Sequence, residues 1–129
     1  GANQGLYWDG GITDYHFDFP FPAGNELVLY PHFSPTVIPG WFDKRVPWRR
    51  VNLENFKNVV LVVPSAEFVA DLPHGKIPDR ADFETLDYDS RLAYWNTVLE
   101  KSKHLAEDFS ALVNAGAGIE DAQPFTGQR

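Results

Sequence analysis

The stretch Val59-Val60-Leu61-Val62-Val63-Pro64-Ser65 decides how this chain folds. Five consecutive aliphatic residues are too short a run for a stable helix. They read as a strand covered on both faces, the pattern of parallel sheets. Pro64 follows the run, and Ser65 is a residue type suited to cap a helix N-terminus. A short helix through Leu72 is therefore expected, stopped by Pro73. A strand leading directly into a helix places the chain in the α/β class.

The C-terminal side of this stretch contains the clearest helix. After Asp87 or Asp89 as cap, apolar residues fall at Leu92, Trp95, Val98, Leu99, Leu105, Phe109, Leu112 and Val113. Steps of mostly three and four put them on one face of a long helix, which Asn114 and Gly116 end. The tail, 117–129, is expected to be flexible. On the N-terminal side, Glu26-Leu27-Val28-Leu29-Tyr30 reads as a second strand, and Pro31, Pro35 and Pro39 keep the adjoining segment irregular. From Tyr15 to Phe19 aromatic and polar residues alternate, the period of an extended segment. Leu6-Tyr7-Trp8 reads as a strand end running into a tight Asp9-Gly10-Gly11 loop. The whole, 1–129, is expected to be a single domain or fragment with few strands and a long C-terminal helix.

Composition narrows the functional classes. The formal charge is −7, so a phosphate-binding basic face, and with it generic nucleic-acid binding, is not expected. Cysteine is absent, which excludes disulfides, thiolate metal ligands and cysteine nucleophiles. No apolar run approaches the roughly 20 residues that span a bilayer, and no signal peptide is visible. The expected location is the cytoplasm, with peripheral membrane contact as an addition. Methionine is absent and residue 1 is Gly, so a segment upstream of this sequence is expected.

The stretch that carries chemistry is Leu6-Tyr7-Trp8-Asp9-Gly10-Gly11-Ile12-Thr13-Asp14-Tyr15. As a bare tripeptide, Asp-Gly-Gly is also a common turn. In its context it resembles the aspartate motif of the patatin-like phospholipases, in which a strand delivers Asp-Gly-Gly or Asp-Gly-Ala to the active site. Tyr30-Pro31-His32-Phe33-Ser34-Pro35 and Pro39-Gly40-Trp41-Phe42-Asp43 are similar to a bacterial branch of that family, some of whose members are named as suppressors of a heat-shock sigma factor. The resemblance implies the C-terminal part of a three-layer α/β/α hydrolase fold. It implies a lipid acyl hydrolase with a Ser-Asp dyad and no histidine, a lipid or ester substrate, and no metal or organic cofactor. Asp9 would be the catalytic carboxylate, with Gly10 and Gly11 forming the active-site loop.

Physical chemistry suits these roles. A serine hydroxyl is a weak nucleophile until a base takes its proton. A carboxylate within hydrogen-bond reach and partly desolvated is such a base. Glycines after it let the backbone approach substrate without a Cβ clash. The sequence departs from the family in one respect that matters: it contains neither the Gly-x-Ser-x-Gly elbow of the nucleophile nor a glycine-rich oxyanion loop. The nucleophile is therefore expected on an upstream segment of the same protein, and this chain alone is expected to be inactive. The alternative is a non-catalytic α/β domain that binds a partner or a membrane surface and whose Asp-Gly-Gly is only a turn.

Other candidates are plainer. His16 with Asp14 and Asp18 is the best metal guess, but a solvated polar strand face is the expected role and no metal site is assigned. Ser34, between prolines, reads as a loop residue and Ser65 as a helix cap. Asp79, Asp82, Glu84, Asp87 and Asp89 read as a solvated acidic stretch. Trp41, Phe42, Lys44, Arg45, Trp48, Arg49 and Arg50 form a basic-aromatic cluster in an acidic chain. Of these, Trp41, Phe42, Trp48, Arg49 and Arg50 are the candidates for membrane or lipid contact. A loop whose tryptophans pack inward is the plain alternative.

Overall fold

The computed structural model describes residues 1–21, 24–116, 118 and 120–127. Packing divides the chain into two compact units, Gly1–Val62 with Gln123–Arg129 and Val63–Ala122. The described chain is mixed α/β, with three α-helices and a two-stranded parallel sheet.

The first unit holds strand β1 (Val28–Pro31), strand β2 (Val59–Val62) and three 3-10 turns, Gly10–Ile12, Trp41–Arg45 and Leu53–Phe56. The strands run parallel, with Val28 opposite Val59 and Pro31 opposite Val62. Val28 N–H donates to Asn58 O and His32 N–H to Val62 O, each at 2.8 Å, and these bonds close the ladder at its two ends. The parallel pairing expected of the aliphatic run is present, but β2 is not an interior strand. Among the described residues each strand has one neighbour, and every residue of β2 is only half-buried. Val37, Val51 and Phe56 form the core of this unit, with Tyr30, Val59, Leu61 and Phe125 packed against them.

That core draws in part of the expected flexible tail. Ala117, Ile119, Gln128 and Arg129 lie outside the described residues, but Phe125 sits 5.1 Å from the Phe56 ring, centroid to centroid. Arg50 Nη1 donates to Gly127 O at 3.4 Å. A core with so few buried side chains gains from any large apolar residue within reach, and Phe125 supplies one.

The segment around Tyr15 to Phe19 also departs from expectation. It is irregular rather than extended, with Phe17 at φ 53°. Its sidedness is the reverse of the usual one. His16 is buried at 5% exposure, while Phe17 and Phe19 are exposed. The polar groups turn inward because they find partners there. His16 Nδ1 accepts Ile38 N–H at 2.9 Å. The Asp18 carboxylate accepts Asn52 N–H at 3.0 Å and Asn55 Nδ2 at 2.8 Å. A hydrogen-bonded polar group tolerates burial that an unpaired one does not.

The second unit holds helices α1 (Ala66–Asp71), α2 (Asp82–Thr85) and α3 (Tyr88–Ala115), with a 3-10 turn at Pro73–Gly75. Their ends follow the capping residues of the sequence. Ser65 Oγ accepts Phe68 N–H at 3.1 Å, and Asp87 accepts Ser90 N–H at 2.9 Å. Gly116, at φ 62°, takes the left-handed conformation that ends α3, and its N–H reaches Leu112 O and Val113 O.

One expectation for this unit is overturned. Asp82 does not belong to a solvated stretch; its residue exposure is 0%. Its carboxylate accepts Lys76 Nζ at 2.5 Å, Trp95 Nε1 at 3.0 Å and Asp79 N–H at 3.0 Å. Tyr94, the buried residue of α3, donates its hydroxyl to Lys76 O at 2.6 Å. The Lys76 hydrogen bond, helped by those from Trp95 and Asp79, outweighs desolvation and lowers the Asp82 pKa from 3.8 to about 2. The same bond raises the pKa of Lys76. Asp82 thus joins α2, α3 and the segment before them at one buried point.

Candidate functional site

Asp9 is placed by a turn and not by a strand. Leu6-Tyr7-Trp8 is irregular, and Asp9 caps the 3-10 turn Gly10–Ile12 with an extended backbone, φ −62° and ψ 131°. Among the described residues no strand pairs with 6–8, and an apolar tripeptide without a pairing partner has no ladder to hold it extended. Leu6, Tyr7 and Trp8 are 90%, 68% and 78% exposed, so they do not shield the carboxylate. The Tyr7 hydroxyl instead donates to Asn3 O.

The Asp9 carboxylate is nevertheless oriented. Oδ1 accepts Gly11 N–H at 2.7 Å, while Oδ2 has no hydrogen-bond partner among the described residues. Asp9 O accepts Ile12 N–H at 3.1 Å, and Gly10 O accepts Asp14 N–H at 2.9 Å, which together close the turn. Neither Gly10 nor Gly11 has a positive φ, so their backbone angles do not require glycine. Gly11 matters through space instead: a Cβ there would stand 3.0 Å from Asp9 Oδ1.

The structure brings this turn against the basic-aromatic loop, a proximity that the long stretch between them hides in the sequence. Tyr15 N–H donates to Pro39 O at 2.8 Å. The rings of Tyr15 and Trp41 meet edge to face at 5.4 Å. Lys44 Nζ lies 3.7 Å from the Trp41 ring centroid and 4.1 Å from that of Tyr15. Gly40 leaves no room for a side chain at this contact. A Cβ at Gly40 would fall 2.7 Å from Ile12 O, a backbone atom that cannot swing aside. Gly40→Ala is therefore expected to destabilise the first unit by about 1–3 kcal/mol, the usual cost of overpacking. Chemical denaturation would read it, and a variant as stable as the wild type would show that the two turns move apart freely.

The lipid-contact candidates divide into two groups. Trp41 is half-buried under Lys44, and its packing follows the inward reading. Phe42 and Trp48, at 69% and 76% exposure, point out. Trp48 follows Pro47 in a turn closed by Arg49 N–H to Val46 O at 3.0 Å. Arg49 pairs with Asp43 at 3.4 Å and Arg50 reaches Gly127 O, yet both remain exposed.

Ser34 and Ser65 are both engaged. Ser34 Oγ accepts Thr36 N–H at 3.1 Å, and Ser65 Oγ caps α1. His16 and Asp18, two members of the metal guess, face separate tasks, holding Ile38 on one side and Asn52 and Asn55 on the other. Among the described residues no group of three or more His, Cys, Asp or Glu side chains is placed to hold a metal ion. A feature the sequence conceals is the contact of His16 with His32, their ring centroids 4.5 Å apart. His32 Nδ1 lies 2.6 Å from Ser34 O, and its Nε2 is buried without a hydrogen-bond partner among the described residues. Beside them Tyr30 donates its hydroxyl to His16 O at 2.7 Å. Burial, then the charge of Asp14, raises the Tyr30 pKa, so this phenol stays a neutral donor. No helix of the described residues is long and apolar enough to cross a membrane.

In chemical terms, the site offers an oriented carboxylate with one uncommitted oxygen. It stands at the end of an uncovered apolar segment and beside a basic-aromatic loop. No protein-family model, no curated protein and no solved structure matches this chain.

Proposed function

We propose that this chain is the aspartate-bearing portion of a patatin-like lipid acyl hydrolase, a three-layer α/β/α enzyme whose nucleophilic serine lies on an upstream segment. The observation that carries this reading is the state of Asp9. Its Oδ1 is held by Gly11 N–H at 2.7 Å and its Oδ2 is left to accept a proton. This carboxylate sits in the Asp-Gly-Gly context that resembles the family's aspartate motif. Supporting the reading, Ser34 Oγ and Ser65 Oγ accept turn and cap N–H bonds, Ser90 donates to Asp87 and Ser102 to Leu99 O, and none of these hydroxyls bonds to Asp9. The parallel pair β1 and β2, each with one edge unpaired among the described residues, suits a portion of a larger parallel sheet.

The chemistry runs in two steps. The serine oxygen attacks the ester carbonyl carbon as its proton passes to Asp9 Oδ2. The alcohol then leaves, taking that proton, and an acyl-serine remains. Water gives a proton to the same carboxylate as it attacks the acyl-serine, and the carboxylate passes that proton to the departing serine oxygen, releasing the fatty acid and restoring serine. No metal or organic cofactor takes part in these steps.

A fluorophosphonate probe, which labels activated serines, tests this directly. The 129-residue chain alone is expected to take no label and to hydrolyse no simple ester, because the members of such a unit act together. The longer protein is expected to be labelled at a serine within Gly-x-Ser-x-Gly. Labelling of Ser34 or Ser65 would overturn the assignment. An upstream sequence with no such motif would favour the non-catalytic interaction domain.

A further inference from the structure

We infer that the loop from Trp41 to Arg50 is a docking surface for bilayers with anionic head groups, with Phe42 and Trp48 as the inserting side chains. The inference goes beyond the hydrolase reading and does not depend on it.

Three observations carry it. First, the two aromatic side chains are exposed on two successive turns. Phe42 is the second residue of the 3-10 turn Trp41–Arg45, and Trp48 follows the proline of the next turn. Their exposures, 69% and 76%, stand against the half-buried Trp41 that packs on the Asp9 loop. Large aromatic surface left in water is costly, and indole is the side chain that best tolerates the bilayer interface, apolar on its face and polar at its N–H. Second, the turns are held in place. The Arg49–Asp43 pair at 3.4 Å ties one to the other, and Trp41 anchors the first beneath Lys44. Preorganised insertion costs less ordering entropy than insertion from a free loop.

The third observation is charge. Lys44, Arg45, Arg49 and Arg50 fall within the loop, with Asp43 its one carboxylate, in a chain of net charge −7. The rest of the molecule is therefore acidic, so an anionic surface attracts this loop and repels the remainder. That asymmetry sets an orientation as well as a location. Arg45 and Arg50 are exposed and pair with no carboxylate among the described residues, so their charge faces solvent. A nucleic acid offers anionic charge too, but it would require relief of repulsion over a strongly acidic chain and would make no use of paired inserting aromatics.

Flotation of the full chain with ether-linked phosphatidylcholine vesicles, with and without phosphatidylglycerol, tests the inference. Ether lipids remove hydrolysis from the readout, so a failure here leaves the acyl-hydrolase reading standing. The chain is expected to bind the anionic vesicles at least about tenfold better than the neutral ones, and high salt is expected to weaken that binding. Phe42→Ser with Trp48→Ser is expected to reduce it by about tenfold or more, with the thermal melt unchanged because both side chains are exposed. Arg45→Gln with Arg50→Gln is expected to lower anionic binding while leaving any weak neutral binding intact. The surface assignment is overturned by equal binding to both vesicles, by no binding, or by an aromatic double variant that floats like the wild type. Displacement by soluble glycerophosphoglycerol would overturn it in favour of a head-group pocket. Self-association that is lost in the aromatic double variant would assign the surface to a second copy of the chain instead.

Discussion

Asp82→Asn is expected to lower the melting temperature of the helical unit on the order of 10 °C at neutral pH. The carboxylate is fully buried and accepts from Lys76, Trp95 and the Asp79 backbone at once. Asparagine is almost the same size, so packing survives. Its amide nitrogen, however, replaces an acceptor with a donor facing other donors, and the Lys76 ammonium keeps only its exposed partner Asp79, at 3.0 Å. Leaving the buried donors that faced the carboxylate without their acceptor carries the desolvation cost of those groups.

The pH dependence has a definite sign. The folded pKa of Asp82 is about 2, below its ordinary 3.8. A carboxylate depressed in the folded state stabilises it above the unfolded pKa and loses that contribution as pH falls toward the folded one. The wild-type helical unit should therefore weaken between about pH 4 and pH 2, and Asp82→Asn should lack that part of the acid limb. Lys76 acts oppositely. Its raised pKa gives a contribution that is full below its ordinary 10.5 and is lost as pH rises from there through the folded value. Far-UV circular dichroism melts across acidic pH would read this, since α3, Tyr88–Ala115, dominates the helical signal. A variant that melts with the wild type at neutral pH would show that the buried network does not hold the unit.

The contrast between this network and the rest of the chain shows what a sequence discloses. Ser65, Asp87 and Gly116 state their roles locally, because a cap needs only the residues beside it, and the helix ends fall where those residues stand. The aliphatic run that forms β2 indicates a parallel strand for the same reason. Asp82 resembles its acidic neighbours in sequence because its partner Trp95 lies in a different helix, α3. His16 and Asp18 turn inward against the ordinary preference for burying aromatics, since their partners Ile38, Asn52 and Asn55 are distant in sequence. Leu6-Tyr7-Trp8 has the residue types of a strand, but a strand is a relation between two segments, and no described segment pairs with it.

The candidate site divides in the same way. Asp9 and its glycines are legible as a chemical motif, while their actual placement on a 3-10 turn is not. The loop from Trp41 to Arg50 is legible as basic and aromatic. Of its aromatics Trp41 packs on Tyr15 while Phe42 and Trp48 face solvent, a division that no spacing rule reveals. The packing of Trp41 on Tyr15 also joins the two candidate regions. The turn that presents the carboxylate rests on the loop inferred to meet a lipid surface, an arrangement suited to an enzyme whose substrate is held in that surface.

Asp9→Asn, made in the longer protein proposed to carry the serine, is the most direct measurement of the central claim. Asparagine keeps the side-chain shape and can still accept Gly11 N–H through its carbonyl oxygen, so the turn Gly10–Ile12 should stay closed. What disappears is the base. Proton transfer by a positioned group contributes at least about a hundredfold, so turnover of a soluble short-chain ester should fall by that factor or more. The loss should appear mainly in kcat, because substrate contacts outside the carboxylate are untouched. A folded Asp9→Asn protein that turns over the ester at near wild-type rate would contradict the assignment of Asp9 as the catalytic carboxylate.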